Sequence, residues 1–130
     1  MDIEYYFSKT IDSNFEDAII KAKETLKQEG FGVLTKIDVK DTLKKKIDVD
    51  FRKYIILGAC NPQFAYKALQ AENKIGVMLP CNIIVQELDS GDIEVSAVDP
   101  ISSMQAVENK NLAPIAKQVR NKLRSVIESL

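Results

Sequence analysis

The chain contains two cysteines, and each lies in a short motif beside an asparagine and a proline. The motifs are Ala59-Cys60-Asn61-Pro62 and Pro80-Cys81-Asn82, and each marks a point where an apolar run meets a break. If both strand ends lie at one edge of a sheet, two thiols and two amides converge with free backbone groups on one polar spot. The sequence therefore predicts a site at Cys60, Asn61, Cys81 and Asn82, although the motifs do not specify its chemistry.

The chain has no histidine, which limits the chemistry available to that site. Without an imidazole there is no Ser-His-Asp or Cys-His couple and no HExxH zinc site. Two thiolates do not complete a tetrahedral zinc site, so we predict neither a resident metal nor another cofactor. Any general base must be a carboxylate, a lysine, a tyrosine or a thiolate.

A second candidate site lies in the most basic segment of the chain, residues 38–46. A helix that starts after Asp38 would present free backbone amides, and Lys40 or Lys46 could add positive charge to hold a phosphate or carboxylate. The alternative is a solvated helix face with Asp38 as its N-cap. The chain has no glycine-rich loop, so a nucleotide-binding P-loop is excluded.

Composition predicts a single domain over residues 1–130. Of the 130 residues 45% are hydrophobic, and the net charge is −1. This slight acidity argues against a nucleic-acid partner. No apolar run approaches the roughly 20 residues that span a bilayer, so no membrane partner is predicted. No basic and apolar leader is visible at the start, and two cysteines without one are typical of free thiols in the cytoplasm.

Two long helices are predicted from periodicity and capping signals. Residues 3–7 alternate as a strand, and Ser13 with Glu16 then matches a capping box for a helix that ends at Gly30. A long apolar stripe over residues 112–130 predicts the last helix.

Strands and short helices are predicted between the long helices. The predicted strands are residues 31–37, 54–60, 82–88 and 93–98, and the short helices follow Asp38 and Asn61. Residues 54–60 are apolar on both faces, which is typical of a central strand covered on both sides or lying in a dimer interface. The economical arrangement is an α+β two-layer sandwich, in which an antiparallel sheet carries both long helices on one face.

Several segments of the chain together resemble a known family. They are residues 30–40, 57–62 and 75–82, and Asp99-Pro100 with Met104. In this order they resemble the family called "domain of unknown function 302" over nearly the whole chain. The resemblance implies a TATA-binding-protein-like α+β fold, with a β-α-β4-α core and short inserted helices. It also implies a small cytoplasmic protein that forms a homodimer.

The residues that match the family motif do not carry a known role. They are Asp38, Lys40, Cys60, Asn61, Pro62, Pro80, Cys81, Asn82, Asp99 and Pro100. The family has no established activity, so the resemblance assigns a function to none of them. Asp48 departs from the pattern, because glycine is usual after the short helix, and this leaves the geometry of that turn open.

Three functional hypotheses follow, and the sequence does not decide among them. The first is a homodimeric protein that binds a small polar or anionic ligand beside the four motif residues, with Lys40 or Lys46 nearby. The second is a thiol-dependent enzyme or redox protein, in which one cysteine is the nucleophile and Asp38 or a lysine is its acid/base partner. The third is a carrier of a metal or cofactor, with sulfur ligands pooled across the dimer. We favour binding, because the chain lacks the base that nucleophilic catalysis usually recruits.

Overall fold

The computed structural model of the chain describes residues 4–130 and contains a five-stranded antiparallel sheet. The strands are β1 (Tyr6–Ile11), β2 (Gly32–Asp38), β3 (Tyr54–Cys60), β4 (Cys81–Glu87) and β5 (Ile93–Val98). The helices are α1 (Phe15–Gln28), α2 (Val39–Ile47), α3 (Pro62–Ala71), α4 (Pro100–Ser103) and α5 (Ala113–Glu128), and a short 3₁₀ helix covers Ile75–Met78. The strand order is β1-β5-β4-β3-β2, and neighbouring strands are antiparallel throughout.

The two long helices, α1 and α5, pack against one face of the sheet and bury the main core. Side chains alternate between the two faces of a strand, so Leu57 and Ile83 point toward these helices and are fully buried. They meet Leu26 of α1 and Leu123 of α5, which are also fully buried. The predicted α+β sandwich with a β-α-β4-α core is confirmed. Within residues 4–130, no helix is both long and apolar enough to cross a membrane.

Helix α1 begins one residue later than the predicted capping box requires. Its N-cap is Asn14, whose side-chain oxygen accepts a hydrogen bond of 2.8 Å from the backbone N–H of Asp17. The Ser13 hydroxyl donates instead to the backbone oxygen of Asn14. The Ser13 prediction was therefore wrong, because Asn14 satisfies the free N–H of the first turn and the Ser13 hydroxyl is used elsewhere.

The other local predictions differ from the structure in detail. Strand β1 runs from Tyr6 to Ile11, where it pairs with β5, so the predicted strand over residues 3–7 was placed too early. Ile3, part of that predicted strand, lies outside the described residues. Asp48 ends α2 in the left-handed conformation, with φ of 54°, which explains why glycine suits this position.

Strand β3 lies between β2 and β4, as expected for a central strand. One of its faces, with Ile55, Leu57 and Ala59, is buried in the main core. The opposite face, with Ile56, is half-buried and is not covered by α1 or α5.

Candidate functional site

A cavity of about 290 Å³ opens beside the ends of β3 and β4. Its floor includes Cys60 and Cys81, and its walls come from α3, α4 and α5. None of the described residues that line it is charged, and its polar side chains are Cys60, Asn61 and Cys81. The exposed residues Leu34 and Leu69 also line it, so the cavity reaches the surface.

Strand register brings the two cysteines to the same cavity. Cys81 is the first residue of β4 and pairs with Ala59, and both side chains face the helices. Cys60 follows Ala59 at the last position of β3, where the chain turns into α3 with Pro62 in the first helical turn. At this turn Cys60 lines the cavity, and it is half-buried where Cys81 is buried.

The two thiols differ in environment as well as exposure. Burial, with a smaller contribution from a negative charge on Cys60, raises the pKa of the Cys81 thiol to about 11. Cys81 is therefore a protonated thiol at neutral pH and a poor nucleophile there.

Asn61 lies at the start of α3 but its side chain makes no capping hydrogen bond. The helix therefore follows Asn61, as the sequence predicted, but without a side-chain cap. The amide nitrogen of Asn61 instead donates to the backbone oxygen of Glu29, at 3.4 Å, just beyond the end of α1. This amide lies only 3.1 Å from where a Cβ on Gly30 would stand, so a side chain at Gly30 would crowd it. The contact ties the rim of the cavity to α1.

Asn82 does not join the two cysteines. It follows Cys81 directly in β4, so strand alternation turns its side chain to the opposite face of the sheet. There it lines a separate groove with Tyr54, Ile84 and Gln86. The structure thus divides the four motif residues, with three at the cavity and one behind the sheet.

The basic segment is also remote from the cavity. Asp38 accepts a hydrogen bond of 3.0 Å from the backbone N–H of Asp41 and so caps α2. Lys40 lines a separate depression beside α2, and its ammonium donates to the backbone oxygen of Phe51 at 2.8 Å. Lys46 is exposed and lines neither the cavity nor this depression.

Sequence reasoning missed the helical walls of the cavity. Phe64 and Ala68 of α3 face Ala116 and Val119 of α5 across it. Met104, at the end of α4, also lines it and packs against the small buried cluster of Ala68, Ile75 and Leu112. Apolar spacing in α3 and α5 was visible in the sequence, but no local signal says which apolar residues leave a space between them.

Asp99 joins two of these walls. One of its carboxylate oxygens accepts from the backbone N–H of Ile101 at 3.0 Å, which caps α4. The other oxygen accepts from Nε of Arg120 on α5 at 3.1 Å. Asp99 is 6% exposed, so its carboxylate is largely shielded from water, whereas the Arg120 side chain is 31% exposed. The charge-assisted hydrogen bond holds α4 against α5.

Comparison with known proteins agrees with this architecture. The family model described as "Domain of unknown function DUF302" matches residues 7–130. A solved structure, the crystal structure of an uncharacterized conserved protein DUF302 from Bacillus stearothermophilus, is 28% identical in sequence. The match covers 97% of this chain and 98% of the other, with a TM-score of 0.90. No curated protein matches the chain.

Proposed function

This chain belongs to the DUF302 family, and we propose that it binds a small, mostly apolar molecule in the cavity beside Cys60 and Cys81. The supporting observation is the uncharged lining of a 290 Å³ cavity that reaches the surface. An apolar cavity of roughly 150 Å³ can hold benzene, so this one is large enough for a ligand of about ten to fifteen non-hydrogen atoms.

The charges near the cavity favour a neutral ligand over an anionic one. An anion here would lose water without gaining a cation, because Lys40 and Lys46 lie outside the cavity. Asn61 and Cys60 can still contact one polar group of the ligand. We therefore propose an uncharged ligand with a single polar end, in place of the polar or anionic ligand expected from the sequence.

The mouth of the cavity supports the same conclusion. Leu34 is 67% exposed and Leu69 is 44% exposed, yet both line the cavity. Exposed leucines at the rim of a concave apolar site are typical of binding surfaces, because a ligand that enters removes them from water.

Indole is a suitable probe, since it is uncharged, largely apolar and carries one N–H donor. We expect a ¹H–¹⁵N NMR titration with indole to shift the amides of α3 and of the first turns of α5. Ala65→Phe places a ring in the cavity from α3 and should weaken binding at least tenfold. Gln70→Phe puts the same ring on the exposed side of α3 and should leave binding unchanged.

The proposal fails if indole shifts none of these amides, or if Ala65→Phe and Gln70→Phe bind it equally well. Far-UV circular dichroism and the melting temperature of each variant separate lost binding from lost folding. A native mass spectrum of freshly purified protein then tests for a retained natural ligand. A bound metal or a modified thiol in that spectrum would favour the carrier or thiol-enzyme hypothesis instead.

The proposed assembly is a homodimer that uses the sheet face opposite α1 and α5. Ile37, Ile56 and Ile84 are cross-strand neighbours in one row of that face. Ile37 is 47% exposed, and burial of this row against a second copy would remove apolar surface from water. Ile84→Lys should convert the dimer to a monomer in light scattering, whereas Ile20→Lys on the exposed side of α1 should not. A monomeric wild-type protein would contradict this assembly.

The proposed location is the cytoplasm. Both cysteines are free in the structure, which is usual for proteins of a reducing compartment.

A further inference from the structure

The two cysteines occupy positions from which their sulfur atoms can be joined. Ala59 and Cys81 are directly opposite each other in neighbouring antiparallel strands, and Cys60 is the next residue after Ala59. Opposite Cα atoms lie about 5 Å apart and successive residues rise about 3.3 Å, so the Cα atoms of Cys60 and Cys81 are separated by roughly 6 Å. Disulfides span Cα separations of about 4.4–6.8 Å.

Strand alternation normally turns two such residues to opposite faces, but here it does not separate them. The chain leaves β3 at Cys60 to begin α3, and both cysteines line the same cavity.

The pair is asymmetric in access. Cys60 is half-buried at the cavity floor, whereas Cys81 is 8% exposed. A reagent in the cavity therefore reaches Cys60 first. The high pKa of Cys81 also keeps its thiolate fraction small at neutral pH, which slows any reaction in which Cys81 attacks.

We propose that Cys60 and Cys81 form a reversible redox pair, in which Cys60 reacts first with a small uncharged disulfide and Cys81 then resolves the adduct. In the first step the Cys60 thiolate attacks one sulfur of the reagent, a protein–reagent S–S bond forms, and one reagent thiolate leaves. In the second step the Cys81 thiolate attacks the sulfur of Cys60, the internal disulfide forms, and the second reagent thiolate leaves.

The complete reaction transfers two electrons from the protein thiols to the reagent disulfide. Two protein thiols are oxidised to one disulfide, the reagent disulfide is reduced to two thiols, and the two protein protons pass to those thiols. The uncharged lining of the cavity sets the reagent class, because a charged disulfide must lose its hydration there without gaining an opposite charge. This inference does not depend on the proposed ligand.

The test uses 2-hydroxyethyl disulfide as the uncharged oxidant and glutathione disulfide as the charged one, with intact-protein mass spectrometry. Wild-type protein should lose two hydrogens and remain monomeric in mass under denaturing, non-reducing conditions. Dithiothreitol should restore the original mass. At equal concentration, 2-hydroxyethyl disulfide should react at least about tenfold faster than glutathione disulfide.

Single substitutions separate the two steps. Cys81→Ser should stop at one mercaptoethanol adduct on Cys60, and Cys60→Ser should slow the first modification at least about tenfold. Raising the pH from 8 to 10 should speed the resolving step by up to about a hundredfold, because the thiolate fraction of Cys81 rises about tenfold per pH unit below its pKa of about 11.

Several results would overturn the proposal. One is that wild-type protein carries two stable reagent adducts and no internal disulfide. Another is that it forms disulfide-linked dimers instead of an internal disulfide. A third is that Cys60→Ser reacts as fast as wild type. Circular dichroism confirms that each variant is folded, and Cys60→Ala provides a second, apolar replacement. Indole binding is measured on the same samples, so a failed redox pair is distinguished from a failed binding site.

Discussion

Replacement of Gly58 by alanine should destabilise the fold next to the cavity. Gly58 is buried in β3, two residues before Cys60. A Cβ at this position would lie 2.2 Å from Oγ1 of Thr35 and 2.8 Å from Cγ of Pro80. Both distances are below 3.0 Å, a separation that real Cβ atoms essentially never show, so a neighbour must move.

The two neighbours differ in how easily they yield. Thr35 is exposed on β2, so its hydroxyl can rotate away. Pro80 has a ring closed onto the backbone directly before Cys81, and it can move only with that backbone. Overpacking of this kind costs about 1–3 kcal/mol, and we expect about 2 kcal/mol for Gly58→Ala.

A double-mutant cycle apportions this cost. Thr35→Ala removes the hydroxyl, so Gly58→Ala should cost about 1 kcal/mol less in that background but should not become neutral, because Pro80 remains. Gly32→Ala is the matched control, since Gly32 is also a strand glycine and a Cβ there meets nothing within 4 Å. We expect it to change stability by no more than about 0.5 kcal/mol.

Urea unfolding followed by far-UV circular dichroism gives the free energy of unfolding of all four members of the cycle. The reasoning is refuted if Gly58→Ala is as harmless as Gly32→Ala. If Thr35→Ala leaves the cost of Gly58→Ala unchanged, the assigned contact with the hydroxyl is wrong.

Further predictions concern the thiol, the helix anchor and the helix cap. Because burial raises the pKa of Cys81 from 9.0 to about 11, the unfolded chain loses this proton first, and stability should fall by up to roughly 2–3 kcal/mol as the pH rises from 9 to 11. Urea unfolding measures the free energy of unfolding of wild type and of Cys81→Ala at each pH, and only wild type should show this fall. If the two proteins lose stability equally between pH 9 and 11, the prediction is wrong. Asp99→Ala should cost about 2–3 kcal/mol by removing a cap and the partner of Arg120, with a smaller cost for Asp99→Asn. Asn14→Ala should lower the free energy of unfolding by about 1 kcal/mol and Ser13→Ala by less than about 0.5 kcal/mol. A larger loss for Ser13→Ala than for Asn14→Ala would instead support Ser13 as the N-cap.

Local patterns in the sequence predicted most of the fold. Gly30 was placed correctly at the end of α1, where it adopts a φ of 86°, and the hairpin of β4 and β5 was also placed correctly. The exact cap of α1 was not predictable, because Ser13 and Asn14 are both good N-caps and each is followed by an acidic residue three positions later. The structure identifies Asn14 as the cap, because its side chain accepts from the backbone N–H of Asp17.

The sequence suggested the candidate site only in part. It paired Cys60 with Cys81 from matching motifs, but it grouped Asn82 with them although adjacent strand residues face opposite ways. It also placed Lys40 near the cysteines, whereas the course of α2 takes that residue to another surface.

The absence of histidine, the presence of two thiols and the periodicity of the core follow from the sequence alone, because composition and local spacing need no knowledge of distant neighbours. Only the tertiary structure decided that Cys60 and Cys81 share an uncharged cavity and that Asp99 binds Arg120. Strand register and helix packing join residues that are far apart in the chain, and no local pattern specifies the space that remains between them.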